Sequence, residues 1–328
     1  MRYRFAQLPF GPLGWFMRVL GFLVLCLVLG LPCFASPACK VEVVFQRPPK
    51  AAGHLVEILR KAEAGDRTAQ FQAGLAFETG AAAEQDYPEA VKWYRKAANL
   101  GYLPAQNNLG GMYLRGLGVA QDDSEALRWY LRAAGEGYLA AENNVGFMNA
   151  AGRGAPANDQ EAVHWYQRAA DKGYAPAQSN LGFMYAQGRG VPVDANQAVE
   201  WYRKAVAQNY APAEYKLGLL YFEGTIVQQD FPEALRWLHK AATHGSASAE
   251  NEIAYAYEHG KGVGQNYLEA EKWYRLAAEH GLPEARKNLA VLATREARTA
   301  HGGPDEYSLP ASGLGMQGEG FTSGQKPR

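Results

Sequence analysis

The sequence predicts an all-α solenoid built from helix–turn–helix repeats of 36 residues, and three observations carry the prediction. Tryptophan recurs at 93, 129, 165, 201, 237 and 273, always 36 residues apart, which accounts for six of the seven tryptophans in a chain of 328 residues. A fixed period of this length marks stacked supersecondary units, each unable to bury its apolar face alone. Every period holds two apolar patterns of helical spacing, and the ends of those patterns carry the residue types that free helix termini require.

The first element is of a different kind. Arg2, Arg4 and Arg18 precede an apolar run at 19–31, VLGFLVLCLVLGL, and Ala35 and Ala38 follow as small residues. This is the layout of a secretory signal peptide, assigned to residues 1–35, and it predicts a periplasmic or secreted protein. An uncleaved anchor is the alternative, because residues 19–35 fall slightly short of the ~20 apolar residues that span a bilayer; Pro32 and the small residues after it favour cleavage. Cys26, Cys33 and Cys39 are the only cysteines, and their spacings match no common zinc or redox pattern.

The solenoid is expected over residues 51–298. An incomplete second-type helix, LVEILRKAEAG at 55–65, comes first, and residues 284–298 supply a last first-type helix; such half-repeats cap a stack. Residues 105–140 show one full period. Ala105, Leu109, Met112 and Tyr113 share the face of a first helix that ends at Gly116, and Ala126, Trp129, Tyr130, Ala133 and Ala134 share the face of a second.

Before each second helix stands an Asp or Asn with Glu or Gln three residues on: Asp86/Glu89, Asp122/Glu125, Asn158/Glu161, Asp194/Gln197, Asp230/Glu233 and Asn266/Glu269. That is the spacing of a capping box. The same helices close on Gly101, Gly137, Gly173, Asn209, Gly245 and Gly281, the residues that accept a left-handed backbone. A third column, Gly74, Gly110, Gly146, Gly182, Gly218 and Ala254, lies inside the first helix. Glycine there costs ~1 kcal/mol relative to Ala, so its recurrence predicts close approach of the partner helix.

LGxMY, GxGV, an Asp- or Asn-capped A(V/L)xWYxKAA and a closing GY at a period of 36 together resemble the Sel1-like repeat family. The loops at Gly116-Leu117-Gly118-Val119 and Gly188-Arg189-Gly190-Val191 fit its pattern; Gly80-Ala81-Ala82-Ala83, Ala155 and Thr225-Ile226 depart from it. The resemblance implies a right-handed solenoid related to tetratricopeptide arrays, with first helices on the concave surface and second helices outside. Residues 299–328, rich in Gly, Pro and Ser without apolar period, are expected to be a disordered tail.

The residues offer little chemistry. Thirty-three basic and 33 acidic residues balance, so no nucleic acid partner is expected, and membrane contact is expected only through the N-terminal segment. There is no HExxH, GxSxG, Walker loop or dinucleotide fingerprint, and GxGV follows a helix rather than a strand. Cysteine-rich relatives connected with β-lactams direct attention to Ser323 and Lys326, an SxxK spacing that lacks its companion motifs. His244 and His280 stand just before helix-ending glycines, where a positive charge complements the dipole, a role preferred to metal binding. The basic residues Lys92, Arg95, Lys96, Arg128, Arg132 and Arg168 read as a solvated helix side. Neither enzyme activity, cofactor nor metal is expected.

A partner is expected where the repeats differ, around the first-helix glycine. Asn107, Asn143, Ser179, Tyr215 and Asn251 form one column, Asn108, Asn144, Asn180, Lys216 and Glu252 the next, and Leu75, Gly111, Phe147, Phe183, Leu219 and Tyr255 follow the glycine. Paired amides suit the donors and acceptors of an extended peptide, and Phe147 and Phe183 suit apolar anchors. The expected partner-binding residues are Asn107, Asn108, Asn143, Asn144, Phe147, Asn180, Phe183, Tyr215, Asn251 and Tyr255. A second role stands open for the amides, a hydrogen bond to the neighbouring repeat. The predicted function is an exported scaffold for a protein or peptide; the alternatives are an envelope hydrolase or β-lactam-binding protein, and a regulator of peptidoglycan or membrane machinery.

Overall fold

The structure is a computed structural model that describes residues 50–300, with side chains from 53 to 294. The signal-peptide and anchor readings, Ser323 and Lys326, and the expected tail beyond residue 300 lie outside the described residues. Fourteen helices and no strand occur among the residues described. Helix α1 (Lys50–Glu63) leads and α14 (Pro283–Ala300) closes. Between them stand six pairs: α2 (Arg67–Thr79) with α3 (Tyr87–Asn99), α4 (Leu103–Arg115) with α5 (Asp123–Gly135), and α6 (Leu139–Ala151) with α7 (Asp159–Asp171). The series continues as α8 (Ala175–Gln187) with α9 (Ala195–Val206), α10 (Ala211–Glu223) with α11 (Phe231–Thr243), and α12 (Ala247–His259) with α13 (Tyr267–Glu279). These pairs are repeats 1 to 6; even-numbered helices are the first of a pair and odd-numbered ones the second.

The caps explain why helices start where they do. Each predicted Asp or Asn accepts the backbone N–H three residues on, from Asp86 with Glu89 at 3.0 Å to Asn266 with Glu269 at 3.1 Å. The capping box is completed differently from its usual form. The cap's own N–H donates to a carbonyl of the preceding helix, Asp122 to Tyr113 and Asp194 to Tyr185, both at 3.1 Å. With that donor satisfied, the Glu side chains turn to neighbours on their own helix: Glu161 accepts from the Trp165 indole, and Glu125 pairs with Arg128.

Helix ends follow the glycine pattern. Gly101, Gly137, Gly173, Gly245 and Gly281 have φ between 74° and 91°, and Asn209, at 56°, is the only non-glycine with positive φ among the described residues. The second loop glycines, Gly118, Gly154, Gly190 and Gly262, also have positive φ. A Cβ on any of them would run into the start of the odd helix in the preceding repeat. Ala82 and Ile226 occupy that position in the two departing loops and stay out of the positive-φ region.

Inside the stack the Trp-Tyr pair divides its work. The tyrosine faces the helix glycine of its own repeat: a Cβ on Gly74 would lie 2.5 Å from the Tyr94 ring, and on Gly146 2.6 Å from Tyr166. The close approach predicted from glycine is therefore to an aromatic face, and Tyr94, Tyr130, Tyr166, Tyr202 and Tyr274 are among the largest fully buried side chains. The tryptophan reaches the preceding repeat, as Trp129 packs into the cluster of Val91, Tyr94 and Leu109, and Trp201 into that of Tyr166, Leu181 and Met184. Consecutive helices pack along the whole series. The core is a chain of clusters that each span a junction, as expected of a quasi-one-dimensional fold.

Candidate binding face

The residues singled out for partner binding sit on even-numbered helices. There the two amide columns bond across repeats. Asn144 Nδ2 donates to Asn107 Oδ1 at 2.9 Å, Asn180 to Asn143 at 2.8 Å, and Asn288 to Asn251 at 2.9 Å. Asn108 donates instead to the Tyr94 hydroxyl at 3.3 Å. Asn143, Asn144 and Asn251 are buried, while Asn107, Asn108 and Asn180 are half-buried. Of the two roles open to the amides, these bonds realise the inter-repeat one. Asn288, on the closing helix, was not singled out from sequence, although it falls one period after Glu252.

Beside the amides the face is aromatic. Phe147, Phe183, Tyr215 and Tyr255 are half-buried on α6, α8, α10 and α12. The Lys216 ammonium lies 5.8 Å from the Phe183 ring centre and 5.6 Å from that of Tyr215. Tyr255 meets Phe222 edge-on at 6.1 Å and stacks on His259 at 4.1 Å. Such part-exposed rings beside polar groups are the chemistry of an interaction surface.

Repeats 5 and 6 add charge. Glu252 stands where repeats 2 to 4 have Asn and is 6% exposed. Burial pushes its carboxyl up to about 7, the charge of Glu223 adds to the rise, and a hydrogen bond with Asn251 opposes it. Burial raises Glu223 as well, against the pull of Lys216.

Two further sets of contacts went unread in the sequence. In the first, the even helix offers a buried Gln or Glu near its start. Gln70, Gln106 and Gln178 donate to the carbonyls of Ala62, Ala98 and Ala170 at 3.1 Å. Where the residue is Glu it meets a basic side chain from the end of the odd helix: Glu142 with Arg168 and Lys172, Glu214 with Lys240 and His244, Glu250 with His280. His244 and His280 are thus partners of carboxylates 0% and 1% exposed, a more specific role than dipole complement. In the second set a loop residue grips the previous repeat. Arg153 holds Asp123 through two hydrogen bonds of 2.8 and 2.6 Å, and Arg189 holds Asp159 at 3.0 and 2.6 Å. The Arg153 guanidinium lowers the Asp123 carboxyl below its usual range. Columns compared at an offset of 30 rather than 36 would have shown the Arg–Asp pairs and the partnering of Lys172, His244 and His280 with the buried glutamates.

On the odd helices Lys92, Arg95, Lys96, Arg128 and Arg132 are exposed, as a solvated side requires, and Arg168 is half-buried; three of the six also cover a neighbouring indole. Lys96 lies 3.8 Å from the centre of the Trp93 rings, Arg132 4.9 Å from Trp129, and Arg168 4.4 Å from Trp165. A cation one turn along the helix covers an indole face. No group of three His, Cys, Asp or Glu side chains is placed to hold a metal ion among the described residues. No described helix is long and apolar enough to cross a membrane.

Comparison with known proteins agrees with this geometry. The Sel1 repeat model matches residues 68–102, 103–138, 139–174, 175–210, 211–246 and 247–282 in unbroken succession. A Sel1 repeat protein from Oxalobacter formigenes is similar over 70% of this chain and 94% of its own, at 34% identity and a TM-score of 0.64. A protective antigen of uropathogenic Escherichia coli strains that displays an SLR fold is similar over 74% of this chain, at 31% identity and a TM-score of 0.57. The match spans 52% of that antigen's length. No match is found among the curated proteins. The fold is that of Sel1 repeat scaffolds and is consistent with protein–protein interaction in general. Six consecutive repeats, an all-α stack and these likenesses establish that the chain belongs to the Sel1 repeat family.

Proposed function

We propose that the protein is an exported, non-catalytic scaffold that binds a protein or peptide through the face of its even-numbered helices. One observation carries this reading. Residues repeated in every unit are used in caps, in the Gly–Tyr contact or in the Trp stack, whereas the position after the helix glycine varies and leaves Phe147, Phe183 and Tyr255 part-exposed in a row. Export rests on Arg2, Arg4 and Arg18 ahead of the apolar run at 19–31.

The bonds of Asn144 and Asn180 define the appropriate test. Replacing these amides disturbs the stack, so the anchors are altered alone, as Phe147→Ala with Phe183→Ala. A photocrosslinker at Gly111, on the proposed face, is compared in the native cell with one at Arg128, on the outer side of α5. Adducts from position 111 that disappear in the double variant support the face; equal yields from both positions, or adducts indifferent to the variant, sink it. Intact helicity by circular dichroism separates loss of binding from loss of fold.

A further inference from the structure

The buried Gln or Glu near the start of each even helix is matched by a position 30 residues on, at the end of the odd helix. From repeat 3 onward that position supplies a basic or amide side chain. Lys172 lies 3.0 Å from Glu142, Gln208 donates to Gln178 Oε1 at 2.9 Å, and His244 and His280 pair with Glu214 and Glu250. Repeats 1 and 2 hold Leu100 and Glu136 there, an alkyl group and an acid. Neither donates, and the Oε1 atoms of Gln70 and Gln106 are buried without a partner. A buried acceptor without a donor is costly, and a group that supplies one is favoured there.

Of the two, Gln106 lines an open groove of about 910 Å³ at the ends of α3 and α5. Gln106 is 6% exposed and its Nε2 is engaged by the Ala98 carbonyl, so Oε1 is the atom it has left to offer. Leu100 and Leu131 line the same groove and are 51% and 40% exposed. Glu136 lines it too, exposed and in no ion pair among the described residues. The charges are those of repeat 3 with one missing. Arg132 covers the Trp129 indole as Arg168 covers Trp165, and Glu136 supplies one acid as Glu142 does, but Lys172 has no counterpart in repeat 2. Arg67, the other cation of the lining, lies over the Tyr102 ring at 5.9 Å.

We propose that this groove docks a partner protein that presents a lysine between apolar residues. The lysine ammonium carries three donors and takes the part that Lys172 plays in repeat 3, bridging Gln106 Oε1 and the Glu136 carboxylate. Its apolar neighbours lie against Leu100 and Leu131. A charge-assisted bond flanked by apolar contact selects lysine over an uncharged chain of the same length. The groove is separate from the row of Phe147, Phe183 and Tyr255, and the assignment does not depend on the face proposed above.

The probe that tests it is the peptide acetyl-Leu-Lys-Leu-amide, titrated into the full chain and followed by NMR through the Leu100 and Leu131 methyl and Gln106 side-chain amide signals. The expected result is saturable binding with a Kd on the order of 1 mM, and about tenfold weaker binding when norleucine replaces the lysine. Two variants close the groove from within. Glu136→Gln gives repeat 2 the bonded pair of repeat 4, and Gln106→Glu with Glu136→Lys gives it the set of repeat 3. Both are expected to abolish the lysine response, and either alone keeps the test decisive if the other folds poorly. Equal response to the two peptides, no response of these signals, or an unchanged response in a folded variant overturns the assignment. The peptide test involves neither Phe147 nor Phe183, so its failure leaves the even-helix face untouched. The Glu136→Gln chain, with this groove closed, is also the background in which Arg128, one turn from Leu131 and Arg132, serves as the outer crosslinking control.

Discussion

Repeats 2–4 and repeats 5–6 share the Asp or Asn cap of the second helix and nearly every core position, yet they hold to their neighbours by different means. Across the junctions from repeat 2 to 3 and from 3 to 4, an Arg–Asp clamp on one side and an Asn–Asn bond on the other lock each unit to the last. Beyond repeat 4 the clamp gives way to Thr225 opposite Ala195, then to Lys261 over the Phe231 ring at 5.8 Å, and the Asn–Asn bond returns only between repeat 6 and the closing helix. The even-helix face changes at the same place, from neutral amides to Lys216, Glu223 and Glu252. A single repeat pattern thus carries a uniform interior and two kinds of surface, because the interior is fixed within a unit and the surface by what the next unit brings.

The largest expected effect breaks the interior of the central repeats. Gly146→Ala puts a methyl group against the fully buried Tyr166 ring and is expected to cost ~3 kcal/mol, read from the urea midpoint. The reverse change in repeat 6, Ala254→Gly, removes a methyl that this repeat already accommodates and costs ~1 kcal/mol. A Gly146→Ala variant as stable as the parent would show that the central stack yields as readily as the last repeat.

The next effect belongs to the C-terminal repeats. Because the Glu252 carboxyl is raised in the folded protein, its contribution is fully present below the usual carboxylate range and is lost as pH rises through about 7. Glu252→Gln should therefore flatten the fall in stability between about pH 4.5 and 7 and stabilise the protein at pH 8 by ~2 kcal/mol. Identical pH profiles for parent and variant would locate the pH dependence elsewhere.

Smaller effects sharpen the contrast between junctions. Asn180→Ala leaves the amide oxygen of Asn143, 5% exposed, without its donor and should cost ~1.5 kcal/mol. Asp123→Ala removes a clamp whose partners are about one-third exposed and should cost ~1 kcal/mol at neutral pH. Since Arg153 lowers the Asp123 carboxyl, this contribution is present above the usual Asp range and is lost as pH falls below that range, where parent and variant converge. Thr225→Ala, at the position that Arg153 and Arg189 hold in the clamped repeats, should change thermal stability by less than ~0.5 kcal/mol. If Thr225→Ala matched Asp123→Ala in cost, the two junctions would not differ as described.

Much of this architecture was legible because helix ends are local. An Asp at a cap and a Gly at a left-handed residue answer needs of the backbone within four residues, so they recur in every unit, and even the exception, Asn209, obeys the rule. The second half of the capping box was not legible, since the cap N–H finds its acceptor on the preceding helix. The face was legible as a set of positions on one helix side. Which of its amides are spent on the stack depended on a neighbour 37 residues away.

The sequence by itself determined the period, the helix boundaries, the family and the positions at which the repeats disagree. Periodicity and capping chemistry are properties of a short segment of chain, and they survive without knowledge of what lies beside it. Tertiary structure alone decided that a Gly–Tyr contact closes repeats 1 to 4 and that Trp reaches into the preceding repeat. It alone decided that His244 and His280 answer buried glutamates, and that the clamps stop after repeat 4. Those outcomes depend on the angle at which one unit meets the next, which sets the residues 30 and 37 positions apart that come within hydrogen-bonding distance.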